Sequence, residues 1–373
     1  MIIESLELLN FRNYERECFI FDENTNVLYG DNAQGKTNIL EAAYMSGTTK
    51  SNVLEAIYFC STSRSHRGSK DKKMIRFDMP EAHLRMNLLK GSIHHKVDIH
   101  LKRNKAKGIA VDGVPIKKTA DLLGICNVVF FSPEDLEIIE RGPDARRHFI
   151  DMELCQLDPM YLFHLTKYKQ VLRQRNELLK QIGLNKDLLD TLDIWNSELV
   201  KYGNYVISAR KSFIDKLNDY IQEIHKNLTG QRETITLRYE PSVREDEFAT
   251  QIVMSEQKDL FTGTTNIGPH RDDLSFVSEG IDFREYGSRG QKRTAALSLK
   301  LTEIKIVEEK KGEKPILLLD DVLSELDRNR QNYLLEHIKG IQTIITCTGL
   351  EEFVKNGINI QKTFEIESGK VKR

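Results

Sequence analysis

The sequence predicts an α/β fold: a head whose parallel sheet is assembled from both ends of the chain, an antiparallel β lobe attached to it, and a helical-hairpin arm inserted between the halves. Three observations predict it. The stretch "TNVLYGDNAQGKTNILEAAY" (25–44) passes from β-prone residues through a glycine-containing turn into good helix formers. The run "PILLLDDV" (315–322) has the unbroken apolar character of a strand buried on both faces, and it ends in two acids. Between them, Leu188, Leu192, Trp195, Leu199, Tyr202, Val206, Ala209 and Phe213 alternate steps of four and three, the seam of two packed helices. About 285 residues separate the turn from the acids, too far for one continuously built sheet, so the head closes around an insertion. The expected boundaries are 1–155 for the first half of the head, 156–230 for the arm and 231–373 for the second half.

Each element has its own signal. From about 74 to 116 the period is two: "IRFD", "AHLRMNLL" and "HKVDIHL" alternate apolar and polar, and "VDGVPI" carries an Asp-Gly turn, giving an antiparallel meander. "CNVVFF" (126–131) is a short buried strand, and "SPEDLEII" follows with Ser132 as an N-cap and Pro133 at the first helical position. In the first arm helix Leu165, Tyr168, Leu172, Leu179 and Ile182 share one face, interrupted by Arg175, and Gly183 and Asn185 mark the turn. Gly203 weakens the second helix by about 1 kcal/mol relative to Ala and is a candidate bend. Strands are expected at "TITLRYE", "DLSFV" and "IQTIIT", and a helix at "TAALSLKLTEIKIVEEKK". One irregularity stands out: "NILEAAY" (38–44) recurs as "NVLEAIY" (52–58), fourteen residues later. A tandem duplication that lengthens a helix or forms a loop is favoured over a functional repeat, since repeat arrays need several copies.

Composition narrows the class. At 373 residues, 39% hydrophobic and 30% charged, the chain has apolar side chains for two or three cores. No apolar run reaches membrane-spanning length and the first residues lack a signal-peptide pattern, so a cytoplasmic location is expected. Cys18, Cys60, Cys126, Cys155 and Cys347 have no metal-ligand spacing and read as buried free thiols. A net charge of −1 leaves any DNA contact to local clusters of Lys and Arg.

The chemistry lies in the turn and the acids. Gly30, Gly35, Lys36 and Thr37 fit the G-x-x-x-x-G-K-[ST] spacing of a phosphate-binding loop, placed where a helix start offers free N–H groups and a positive dipole end. Gly30, Asp31, Asn32, Ala33, Gln34, Gly35, Lys36, Thr37 and Asn38 would wrap the phosphates of ATP, with Lys36 on the β/γ-phosphates and the Thr37 hydroxyl on Mg²⁺. Asp320 would hold the metal, directly or through water, and Asp321 would lie where an attacking water is polarised.

Two further stretches identify the class of ATPase. Ser288, Arg289, Gly290 and Gln291 precede a helix about 29 residues ahead of Asp320, and "SELD" (324–327), with Ser324 and Asp327, follows Asp321. In this order they resemble the S-x-G-Q signature and the D-loop of ABC-type ATPases, in which the signature serves the nucleotide of the other subunit. Together with "NFRNY" (10–14), "STSRSHR" (61–67), "FFSPEDLEII" (130–139), "RRHFID" (146–151) and "GPHRDDL" (268–274), they resemble the RecF family of bacterial recombination mediators over almost the whole chain. The resemblance implies an ATP- and Mg²⁺-dependent homodimer on double-stranded or gapped DNA, with Arg12 among the ATP contacts. It also implies work with RecR and RecO at single-strand gaps and help in loading RecA.

The chain departs from the family pattern at one place and from the wider ABC class at two. The second "NVLEAIY" copy intervenes before "SRSHR", where the family carries one; the strand "TIITCTG" lacks the switch histidine of transporter ATPases, and Asp321 is one methylene shorter than the glutamate common in ABC enzymes. Slow, DNA-stimulated hydrolysis is the resulting expectation, with an ATP-binding clamp of negligible turnover as the alternative. A transporter-type subunit lacks its helical subdomain here, and a tether of the SMC or Rad50 class needs a far longer coiled coil. Candidate DNA-phosphate contacts are Arg64 and Arg67 in "RSHRGSKDKK", Lys102, Arg103, Lys105 and Lys107 in "KRNKAK", and Arg146 and Arg147; a solvated face is the competing reading of each run. Arg271 and Asp272 are expected either to tie the C-terminal half to the head, as a buried ion pair, or to meet DNA or nucleotide.

Overall fold

Alternating burial along β1 (Ile2–Phe11) turns one face of the strand into the core, and the chain reverses at Arg12–Asn13 into β2 (Tyr14–Ile20). The computed structural model describes residues 1–30, 49–350, 360–367 and 369–372. These divide into two compact units, Met1–Pro133 with Glu303–Arg373, and Glu134–Thr302.

The first unit holds two six-stranded sheets. β1 and β2 join β4 (Glu81–Lys90), β5 (Ile93–Lys102), β6 (Lys105–Val111) and β7 (Val114–Pro115) in the order β2-β1-β4-β5-β6-β7, the antiparallel meander expected from the period-two pattern. Asp112 and Gly113, at φ 52° and 82°, make the β6–β7 turn, whose left-handed residues match the twist of a hairpin. The other sheet runs β15-β14-β3-β13-β12-β8, from β3 (Thr25–Tyr29), β8 (Val128–Phe131), β12 (Ile316–Asp320), β13 (Thr343–Cys347), β14 (Lys362–Glu367) and β15 (Lys370–Val371). All its pairings are parallel except β14–β15. β3 pairs with both β13 and β14, so the sheet is closed from the two ends of the chain, as the separation of the motifs requires.

The helix Thr49–Thr62 packs against strands of both sheets. Val53, Leu54, Ala56, Ile57, Phe59 and Cys60 are fully buried around its circumference and belong to the same apolar cluster as both sheets, the signature of a core helix.

The second unit contains the helices Pro143–Leu157, Pro159–Ile182 and Leu192–Leu228, with the three-stranded sheet β11 (Ile281–Asp282), β10 (Asp273–Ser278), β9 (Thr236–Glu240). Pro159–Ile182 and Leu192–Leu228 form the expected hairpin, the longer being about 55 Å at 1.5 Å per residue. The buried line differs from the predicted seam. Leu192, Leu199, Val206 and Phe213 are buried and Trp195 and Tyr202 pack half-buried against the same core, but Asn196, Gly203 and Arg210 take the fully buried places beside Trp195, Tyr202 and Ala209. The helix runs continuously through Gly203. A Cβ there would stand 2.5 Å from the Phe248 ring and 3.1 Å from that of Tyr168, so the glycine is what lets those rings approach.

Other expectations are corrected locally. Residues 133–136 form a 3₁₀ turn before the short helix Glu137–Glu140, so Pro133 opens a tighter turn than an α-helix. Cys18 is exposed, while the other four thiols are buried. Among the described residues no helix is long and apolar enough to cross a membrane.

Candidate functional site

Parallel strands bring their carboxyl ends to one edge, where open α/β sheets bind ligands. Here that edge collects Gly30 after β3, Cys347 at the end of β13 and Asp320 at the end of β12. Gly30 sits at φ +147°, and a Cβ there would lie 2.3 Å from the Ile366 carbonyl oxygen, so only glycine lets the chain leave β3 this close to β14.

Asp320 is buried, with hydroxyls on one carboxylate oxygen. Ser51 Oγ donates to Oδ1 at 2.5 Å and Thr346 Oγ1 at 2.6 Å, while Arg67 lies 3.7 Å from Oδ2. Thr346 Oγ1 also accepts from the Asp321 N–H at 3.1 Å. Asp321 adopts φ 52°, unusual for a non-glycine residue, and its Oδ1 accepts from Ser324 Oγ at 3.1 Å. The hydroxyl thereby fixes the carboxylate expected to face a water. Asp327 caps the helix Arg328–His337 through the N–H groups of Asn329 and Arg330. A carboxylate flanked by two hydroxyls is a hard oxygen-donor set, which fits Mg²⁺.

The helix start beside Asp320 is held from the β1–β2 turn. Asn13 Nδ2 donates to Thr49 Oγ1 at 3.0 Å, Tyr14 Oη to the Thr49 carbonyl at 3.0 Å, and Asn52 Nδ2 to Asn13 Oδ1 at 3.0 Å. Arg12 meets Glu55 as a two-toothed fork at 2.7 and 2.8 Å, and Ser65 Oγ donates to the same carboxylate at 2.6 Å. Burial pushes the Glu55 pKa up, but the hydrogen bonds and charge of Arg12 outweigh it and hold the group ionised below its usual range. Lys50 Nζ donates to the carbonyls of Gly30 at 2.7 Å and Cys347 at 2.6 Å, joining the ends of β3 and β13.

The predicted residues distribute unevenly. Asp320, Asp321, Ser324 and Gly30 share the strand-end edge, and Arg12 works through Glu55. Asp31, Asn32, Ala33, Gln34, Gly35, Lys36, Thr37 and Asn38 lie outside the described residues. Ser288, in the second unit, caps the helix Arg289–Lys311: its N–H donates to Gln291 Oε1 at 2.8 Å, and Gln291 N–H to Ser288 Oγ at 3.3 Å. Ser288, Arg289 and Gly290 are exposed.

Among the basic candidates, Lys102, Lys105 and Arg64 are exposed, whereas Arg103 donates to the Met79 and Arg76 carbonyls and Lys107 to the Ser63 carbonyl. Arg67 is turned inward to Asp320, Glu55 and Asn52. Arg146 is buried in a bidentate pair with Asp273, at 2.5 and 3.0 Å, and Arg147 bonds Asp144 and the Asp272 carbonyl. Asp272 is buried and accepts from Arg210 at 3.0 Å, so it fastens strand β10 to the arm, while Arg271 is exposed.

Asn13 and Tyr14 lay in "NFRNY" with no role assigned, and Lys50, Ser51 and Thr346 were missed by the motif reading. The signal existed for two of them: "TKSNVLEA" repeats "GKTNILEA", with Lys and a hydroxyl residue ahead of each copy.

Known proteins set this geometry in context. Residues 2–372 match the family model described as the RecF/RecN/SMC N terminal domain. The DNA replication and repair protein RecF of Agathobacter rectalis is 54% identical over 371 residues, spanning 100% of this chain and 99% of the relative, and that of Lachnoclostridium phytofermentans is 54% identical over 373 residues, spanning 100% of both. A solved structure described as the recombination mediator protein RecF-ATP in the RecFOR pathway has a TM-score of 0.90 at 36% identity, over 100% of this chain and 97% of that one. A Smc head bound to the C-winged helix domain of ScpA shares the fold, with a TM-score of 0.56 at 15% identity. Matched over its full length, the chain belongs to the RecF family of SMC-like, ABC-type ATPases.

Proposed function

We propose that this protein is an ATP-dependent DNA-binding protein of recombinational repair and replication restart, which dimerises on ATP and DNA and helps load RecA at single-strand gaps with RecR and RecO. The carrying observation is the Asp320 cluster at the strand ends, within a chain similar over its full length to a RecF solved with ATP. ATP binds there with its phosphates at the loop opening at Gly30, and Asp320 with a hydroxyl at the following helix start would hold Mg²⁺. The chemistry such an ion would supply is neutralisation of charge on the β- and γ-phosphates. Asp321, fixed by Ser324 and Thr346, orients the water, and its short side chain keeps hydrolysis slow.

The exposed signature residues Ser288, Arg289 and Gly290 close over the nucleotide of a second copy, giving a homodimer with two shared sites. Exposed Lys102, Lys105 and Arg64 meet DNA phosphates, with Arg103 and Lys107 shaping the β5–β6 turn. A cytoplasmic location follows from this role. Mixing Asp320→Asn chains with Ser288→Arg chains tests the shared site: each variant alone should be inactive, and the mixture should regain one working site. No recovery in the mixture would contradict a site completed by the partner.

A further inference from the structure

The repeat extends beyond seven residues. "NILEAAYMSGTTKS" (38–51) and "NVLEAIYFCSTSRS" (52–65) align without a gap, and each follows a Lys paired with a hydroxyl residue: Lys36–Thr37 before the first, Lys50–Ser51 before the second. The second copy holds the seat between the two sheets. Asn52, Glu55 and Ser65 make the polar contacts there, to Asn13, Arg12 and Glu55 respectively. The buried positions also suit it better. The first copy would put Ala43 in the place of Ile57 and Ser46 in the place of Cys60, both fully buried, leaving a void in one and a hydroxyl in the other.

Seating the second copy brings its own Lys and Ser to the site. Ser51 Oγ lies 2.5 Å from Asp320 Oδ1, and Lys50 Nζ bridges the carbonyls of Gly30 and Cys347 at the mouth of the strand-end edge. We infer that in this chain Lys50 and Ser51, rather than Lys36 and Thr37, present the ammonium and the hydroxyl to the triphosphate and its Mg²⁺. The duplication has moved the phosphate-contacting pair fourteen residues along the chain and kept Gly30 as the point where the loop begins. The inference rests on the ATP-binding reading and sharpens it to named atoms.

The test is equilibrium binding of a fluorescent ATP analogue to the full chain, with Mg²⁺ and with EDTA. Lys50→Ala should weaken binding by about 30-fold or more, the scale for truncating one partner of a buried charge contact. Lys36→Ala should stay within about threefold of the parent. Ser51→Ala should lose the gain in affinity that Mg²⁺ confers while leaving binding in EDTA unchanged, a response that general loosening of the helix does not produce. Deleting residues 38–51 joins Thr37 to Asn52 and restores the short loop; in that background Lys36→Ala should become as damaging as Lys50→Ala is in the full chain. Normal binding by Lys50→Ala, or a strong loss from Lys36→Ala in the full chain, overturns the inference while leaving ATP binding intact. Absence of binding by the unaltered chain overturns the ATP-binding reading and the inference together.

Discussion

His270 shows how a single half-buried ring constrains the second unit. Its Nδ1 accepts from the Tyr168 hydroxyl at 2.6 Å and its Nε2 donates to the Thr265 carbonyl at 3.0 Å, so both nitrogens are used by the neutral ring. Burial lowers its pKa to about 4, overcoming the opposite pull of the Thr265 carbonyl. The unfolded chain binds this proton near pH 6.5, the folded chain only near pH 4. Stability from this group is therefore full above pH 6.5 and falls as the pH drops toward 4, by about 3 kcal/mol in total. Denaturant unfolding between pH 7 and pH 4 should show that slope, and His270→Gln should flatten it; equal slopes would place the acid sensitivity elsewhere. In the sequence His270 was one letter of "GPHRDDL", with nothing to mark it as packed on Tyr168, which is 102 residues away. Arg146 and Asp272 were obscured for the same reason: their partners, Asp273 and Arg210, come from distant parts of the chain. The place of Asp320, by contrast, was legible, because it ends an apolar strand.

At the scale of elements, periodicity found the helices and strands but misplaced one face. The seam through Trp195, Tyr202 and Ala209 assumed that apolar residues mark the interior. The interior line instead passes through Asn196, Gly203 and Arg210, each seven residues from the next. Asn196 accepts from Arg175 at 2.8 Å and donates to Glu256 at 2.7 Å, while Arg210 reaches Asp151 at 2.9 Å and Asp272 at 3.0 Å. Arg175, which interrupted the pattern of the first arm helix, is fully buried against Asp259 at 2.8 Å. Polar side chains thus occupy core positions because the second unit supplies partners that a helical pattern cannot display. Gly203 gives the sharpest test. Propensity alone predicts that Gly203→Ala stabilises the helix by about 1 kcal/mol. The Phe248 and Tyr168 rings predict the reverse, a net loss of about 1–3 kcal/mol from overpacking, measurable as a lower unfolding midpoint. A rise in the midpoint would mean that the rings move aside without strain.

For the whole molecule, the wide separation of motifs was the most informative feature of the sequence. It required a head closed from both ends, and β3 between β13 and β14 is that closure. The repeat was visible too, but sequence gave no ground for choosing which copy takes the seat; burial of Ile57 and Cys60 supplies the ground. The central claim is that nucleotide at this head drives two copies together on DNA, and sedimentation mass measures it directly. The purified protein is examined with ADP, ATP or a non-hydrolysable analogue, each with and without gapped duplex DNA. A dimer is expected with triphosphate only, sedimenting with the DNA. A monomer under every condition, in a protein that still binds ATP, would contradict it.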